Sequence, residues 1–134
     1  MAKHKDAYNP FTLVWVGAAA WAVPGAGYVV QGDHKRALVV CITIALTFCL
    51  GLYIGSIGVI DSVGAKPWYA AQLMNSPGVI LIAQHVARTN SYPVYGRPAE
   101  IGQIYTSIAG LLNLLCIVNS VYMAHSRQTQ LEAQ

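Results

Sequence analysis

Residues 37–60 and 101–124 are two runs of 24 positions without a single Asp, Glu, Lys or Arg. At about 1.5 Å of rise per residue, a helix of that length reaches about 36 Å, enough to cross a hydrocarbon core of about 30 Å with some tilt. A chain built around two such runs is expected to be an all-α membrane bundle. The remaining composition agrees, since 55% hydrophobic and 10% charged residues leave too little polar surface to coat a soluble globule. With 134 residues there is room for one integral-membrane domain, 1–134, and no second folded unit.

Two weaker segments complete the bundle. Residues 11–31 are apolar throughout and read as a first membrane helix, interrupted near Pro24-Gly25 because Pro24 has no N–H to give and frees a carbonyl one turn back. The basic start at Lys3 and Lys5 and the Ala20-Trp21-Ala22 triplet imitate a secretory signal, but the apolar character runs on to Gln31, too far for a signal core, and cleavage is not expected. Residues 67–87 carry Gln72, Asn75, Gln84 and His85 and a central Pro77-Gly78, so a short, broken or interfacial helix is expected there. The expected architecture is therefore a small polytopic bundle of three strong transmembrane helices, 11–31, 37–60 and 101–124, plus one weak helix over 67–87. Tyr92-Pro93, Gly96 and Arg97-Pro98 read as a loop before the last helix.

Counting Lys and Arg by side favours an odd number of crossings only slightly. Four crossings divide the eight basic residues four against four, three divide them five against three, and a re-entrant first segment with a spanning 67–87 gives six against two. The N-terminus is expected in the cytoplasm.

The residues that carry a pattern are mostly packing residues. Pro24, Gly25, Gly27 and Gly32 suit a hinge and a tight turn into the next helix, followed by the solvated cluster Asp33, His34, Lys35 and Arg36. A ligand site at a broken helix is the alternative, and it usually brings an intramembrane charge, which this segment lacks. Thr43, Thr47, Gly51 and Gly55 recur every four residues and form a small-residue seam for another helix, of this chain or of a partner. On the last helix Gln103, Thr106, Gly110, Asn113, Ile117 and Ser120 share one stripe, while Ile104, Ile108, Leu111, Leu115 and Val118 cover the remainder. Asn113 in mid-helix must find a hydrogen-bond partner, and glue between helices is the expectation. Asn119 faces elsewhere.

Chemistry is sparse. Cys41, Cys49 and Cys116 are odd in number, lack Cys-x-x-Cys spacing, and read as small apolar side chains. Only His85 among the four histidines falls in an apolar segment, no pair has ligand spacing, and no haem, metal or other cofactor is expected. There is no carboxylate pair, nucleophile–base set or phosphate loop, so an enzyme is not expected, and the scattered basic residues give no nucleic-acid surface.

The turn Pro24-Gly25-Ala26-Gly27-Tyr28 through Gly32, together with Glu100-Ile101-Gly102 and the Ala109-Gly110-Leu111-Leu112-Asn113-Leu114-Leu115 run, resembles an uncharacterised family of small bacterial inner-membrane proteins. The resemblance covers most of the chain and implies no activity. That family's pattern carries an acidic residue where this chain has Asn119, so no role resting on a charge there carries over. Two functions are expected from packing motifs that outnumber chemical ones. The first is an accessory or structural subunit docked on a larger membrane complex, such as a respiratory or photosynthetic one. The second is a homo-oligomeric channel or transporter component lined by Gln103, Thr106, Asn113 and Ser120, against which stand the missing buried charge and the missing internal repeat. The partners expected are the lipid bilayer and other membrane subunits, or further copies of the chain.

Overall fold

A computed structural model describes residues 10–60, 66–89 and 96–133. The expected loop residues Tyr92-Pro93, the helix-end Asp61 and the basic Lys3 and Lys5 lie outside them. Six α-helices follow in order: α1 (Pro10–Ala22), α2 (Ala26–Val30), α3 (His34–Gly55), α4 (Lys66–Leu73), α5 (Pro77–Thr89) and α6 (Arg97–Glu132), with a 3-10 turn at Ile57–Val59 after α3. Among the described residues there is no strand.

Two of these helices, α3 and α6, are long and apolar enough by length and composition to cross a membrane. The segment expected to be a third, 11–31, is divided instead. Its longer piece, α1, has 13 residues and so measures about 20 Å, short of a hydrocarbon core.

Local chemistry explains the division. Pro24 withholds an N–H from the ladder, and Gly25 adopts φ 86, a left-handed conformation that L side chains rarely take. A Cβ at Gly25 would also lie 2.6 Å from the Ala37 carbonyl oxygen, so the turn is pressed against the start of α3. The short α2 closes with Gly32 at φ 81. There the Asp33 N–H donates to Tyr28 O at 2.9 Å and the Gly32 N–H to Val29 O at 2.9 Å, the paired bonds of a Schellman stop. Asp33 then caps α3, its Oδ1 accepting from the Arg36 N–H at 3.3 Å.

The directions of the helices follow from what touches α6. Arg36 at the start of α3 lies beside Met123 late in α6, with 3.6 Å between Nη1 and Sδ, whereas Gly55 at the end of α3 meets Gly102 early in α6. These two long helices are antiparallel. Passing along α1, Gly17 faces Val121 and Ala20 faces Asn113, so α1 advances toward the middle of α6; α2 then returns, with Gly27 against Ser120 and the Gln31 carbonyl accepting from Arg127. Helices α1 and α2 thus form a hairpin that enters from one end of the bundle and leaves by the same end.

A second hairpin enters from the opposite end. Along α4, Trp68 meets Ser107, Ala71 meets Gly110 and the following Asn75 meets Asn113, which again leads to mid-bundle. Helix α5 runs back, since Gln84 accepts from the Tyr69 hydroxyl at 2.8 Å. The weak helix expected over 67–87 is therefore two helices around a turn. The order of half-length hairpin followed by full-length helix occurs twice, in opposite directions. Sequence comparison within the chain misses it because the corresponding arms differ in length, 13 against 8 residues and 5 against 13.

The apolar core lies on the side of the second hairpin, where Ile44 and Phe48 of α3 pack with Val59, Ile60, Ile80, Ala83 and Ala109. Elsewhere contact is backbone to backbone. A Cβ on Gly102 would lie 2.6 Å from Gly55 Cα and 2.8 Å from the Gly51 carbonyl oxygen, so α3 and α6 touch without intervening side chains.

Candidate functional site

The face that α6 turns inward is small and polar: Gly102, Thr106, Ser107, Gly110, Asn113 and Ser120 are all buried. Small residues let α1, α2 and α4 come close, and each hairpin end leaves backbone carbonyls that have lost their helical donors. Burial without a partner would leave each such group at a penalty of about 1–3 kcal/mol. The polar side chains of α6 and of the tips supply the donors.

Asn113 stands at the centre of this junction. Its Nδ2 lies 3.3 Å from Ala20 O, 2.9 Å from Met74 O and 2.8 Å from Asn75 O, so one amide serves carbonyls from both hairpins. The tips also bond each other directly: the Ser76 hydroxyl donates to Ala22 O at 2.8 Å, and the Trp21 indole N–H to Leu73 O at 3.2 Å. Nearer α4, Gln72 Nε2 donates to Thr106 Oγ1 at 2.8 Å and to Val59 O at 3.3 Å, and Ser107 donates to Trp68 O at 3.2 Å. On the other side Gln31 Nε2 donates to Ser120 O at 2.9 Å, and Asn119 donates to the Tyr28 hydroxyl at 2.8 Å. Most of the amide donors are used, while the Ser120 hydroxyl and several acceptors are buried without a partner among the described residues. The side-chain oxygens of Gln72, Asn75 and Asn113 are buried without a hydrogen-bond partner among the described residues.

Of the residues singled out in the sequence, the structure gathers several here and leaves others outside. Gly51 and Gly55 lie against Gly102 and Thr106 of the same chain, and Gly110 receives the Ala71 carbonyl so closely that any Cβ would overlap it. Thr43 is exposed and Thr47 half-buried, each hydroxyl donating back to its own helix, at Val39 O and Thr43 O, both at 2.8 Å. The buried face of α3 is Ala37, Ile44, Phe48, Gly51 and Gly55 instead. Pro24 and Gly25 form the tip of the first hairpin, Gly27 presses on Ser120 and Ala20, and Gly32 stops α2. In the α6 stripe, Thr106, Gly110, Asn113 and Ser120 are buried, and Gln103 and Ile117 half-buried. Sequence reasoning named Gln72 and Asn75 only as features weakening a span, and passed over Gln31, Ser76 and Ser107. A usable signal was present, because the two Pro-Gly pairs, Pro24-Gly25 and Pro77-Gly78, mark the two tips.

Among the described residues the junction contains amides and hydroxyls but no acid, base or thiolate nucleophile. Among the described residues no group of three or more His, Cys, Asp or Glu is placed to hold a metal ion, and His85 is exposed on α5. Next to the junction, a cleft of about 250 Å³ is bounded by the tips of both hairpins and by the middle of α3.

The fold and site thus define an all-helical protein with two helices long and apolar enough to cross a membrane, joined through a buried polar junction. The chain belongs to a family of unknown function (DUF6677), whose pattern matches residues 15–131. No curated protein and no solved structure matches it.

Proposed function

We propose that the chain is a polytopic protein of a bacterial cytoplasmic membrane and acts without catalysis, as a structural or accessory subunit packed on a larger membrane assembly. The observation that carries this reading is the division of its surfaces. The polar stripe of α6 is spent inside the chain on holding two hairpins, while the outward flanks present Leu38, Val39, Ile42, Leu46 and Leu50 on α3 and Ile104, Ile108, Leu111, Leu115 and Val118 on α6, all exposed. Surfaces of that kind suit acyl chains and apolar protein partners. In this placement α3 and α6 cross, and the two hairpins reach halfway from opposite faces. Gly25 is buried against Ala37 of α3, and Asn75 and Ser76 are buried at the second tip, which keeps those parts of the backbone from lipid. Lys35, Arg36 and Arg127 mark one face and Lys66, Arg88 and Arg97 the other, three against three among the described residues, so these six do not orient the chain.

A second reading, a homo-oligomeric channel or transporter component, is favoured by one observation. Inverted hairpins whose half-helices meet at mid-bundle are an arrangement in which transporters place substrate. The junction is closed, however, with Gln72, Thr106 and Asn113 all at 0% exposure. Gentle purification from the native membrane separates the two readings. Stoichiometric recovery with a large complex is the expected result; a self-assembled ring of this chain alone would overturn the accessory role in favour of the pore.

A further inference from the structure

The cleft beside the junction has a chemistry that neither packing nor docking uses. Ala22 and Pro24 border it from the first hairpin, Cys41, Ala45 and Phe48 from α3, and Asn75 from the second hairpin. Asn75 is 5% exposed, and its side-chain oxygen has no hydrogen-bond partner among the described residues. The neighbouring Ser76 also lines the cleft, but its proton is committed to Ala22 O at 2.8 Å, so it has none to offer. The cleft is therefore an apolar chamber bordered by an amide whose oxygen lacks a donor.

Depth selects the occupant. Ala45 lies near the centre of the 22-residue α3, about 15 Å from either end. Within the proposed membrane placement, that level is far from any lipid headgroup. A phospholipid would bring only an acyl chain, leaving the Asn75 oxygen unsatisfied, and its ester carbonyls accept rather than donate. A helix of a second copy, about 10 Å across, is too bulky for about 250 Å³. We infer that the cleft binds a small membrane-dissolved molecule with an apolar body and one terminal hydrogen-bond donor, of the alcohol or phenol class. This inference rests on the membrane placement and is independent of the accessory role.

Three isosteric probes test it: 1-octanol, which donates, nonane, which does neither, and methyl heptyl ether, which only accepts. Each is added over a concentration series to the full chain in lipid nanodiscs, and the shift in thermal unfolding gives an apparent Kd. One net hydrogen bond of about 1.4 kcal/mol predicts that octanol binds about tenfold more tightly than nonane or the ether. The preference should vanish in Ala45→Phe, which fills the chamber from an exposed position, and in Asn75→Leu. Should Asn75→Leu fail to fold, Ala45→Phe carries the test. Equal shifts from the three probes, or an octanol preference surviving in Ala45→Phe, would overturn the site. Alkaline carbonate extraction of the native chain distinguishes the two failures. Release without detergent defeats the membrane placement and the site together, whereas retention with equal shifts defeats the site alone.

Discussion

Asn113 is the side chain whose loss tells most about how this chain holds together. Its amide nitrogen approaches Ala20 O, Met74 O and Asn75 O at 3.3, 2.9 and 2.8 Å, and the residue is 0% exposed. Replacing it by Leu keeps the approximate volume and removes the donors, leaving three helix-end carbonyls without them. Polar contacts between membrane helices average about 0.6 kcal/mol, so two N–H groups shared among three carbonyls contribute about 1–2 kcal/mol. Orphaned buried acceptors at about 1–3 kcal/mol each would raise the loss further. We expect about 2–5 kcal/mol, measured as the change in unfolding free energy in mixed micelles titrated with a denaturing detergent. Asn113→Asp is the sharper variant: nearly isosteric, it keeps one O–H donor while the buried carboxyl is protonated and none once it is ionised. Its stability relative to the native chain should therefore fall as the pH is raised. Native stability in Asn113→Asp at alkaline pH would refute the reasoning, for it would show that shape at this position matters and donation does not.

Two glycines with positive φ should respond very differently. Gly25→Ala meets the Ala37 carbonyl oxygen as well as left-handed strain and is expected to lose at least about 2 kcal/mol, whereas Gly32→Ala has open space and should lose only about 1–2 kcal/mol; equal losses in the same detergent titration would argue against the packed tip. Gly55→Leu and Gly102→Ala force apart backbones of a single chain, so they should reduce the yield of folded monomer rather than dissociate subunits, as size-exclusion chromatography would report. The hairpin topology predicts that Lys66→Cys and Arg88→Cys, in a background with the native cysteines replaced by Ser, are labelled by an impermeant maleimide from the same side of sealed vesicles; labelling from opposite sides would mean that α4 and α5 together cross.

What the sequence revealed and what it hid follow a physical division. Local rules were legible: the break at Pro24-Gly25, the stop at Gly32 and the small polar face of α6 each follow from residues that act on their own backbone or repeat at helical spacing. Tertiary direction was not. Apolarity over 11–31 looks the same whether the segment crosses or turns back, because a membrane-level hairpin buried in protein needs apolar residues just as a span does. The Thr43 to Gly55 seam shows the same limit. Spacing by four placed Thr43 and Thr47 on the glycine face, but the buried face of α3 runs through Ile44 and Phe48 and rejoins that spacing only at Gly51.

The twofold order also alters what the junction means. A half-helix cannot satisfy its last carbonyls with lipid, so each hairpin requires a buried donor where it stops. Two hairpins entering from opposite ends place those requirements at one level, where a single amide on α6 can serve both. Ala20 O belongs to the first hairpin and Met74 O and Asn75 O follow the first arm of the second, so Asn113 ties together segments that share no other long helix between them in sequence except α3. The amide's own oxygen is left over, as are those of Gln72 and Asn75. These unpaired oxygens lie where the two hairpin ends converge, and a donor-bearing guest is what the one beside the cleft would accept.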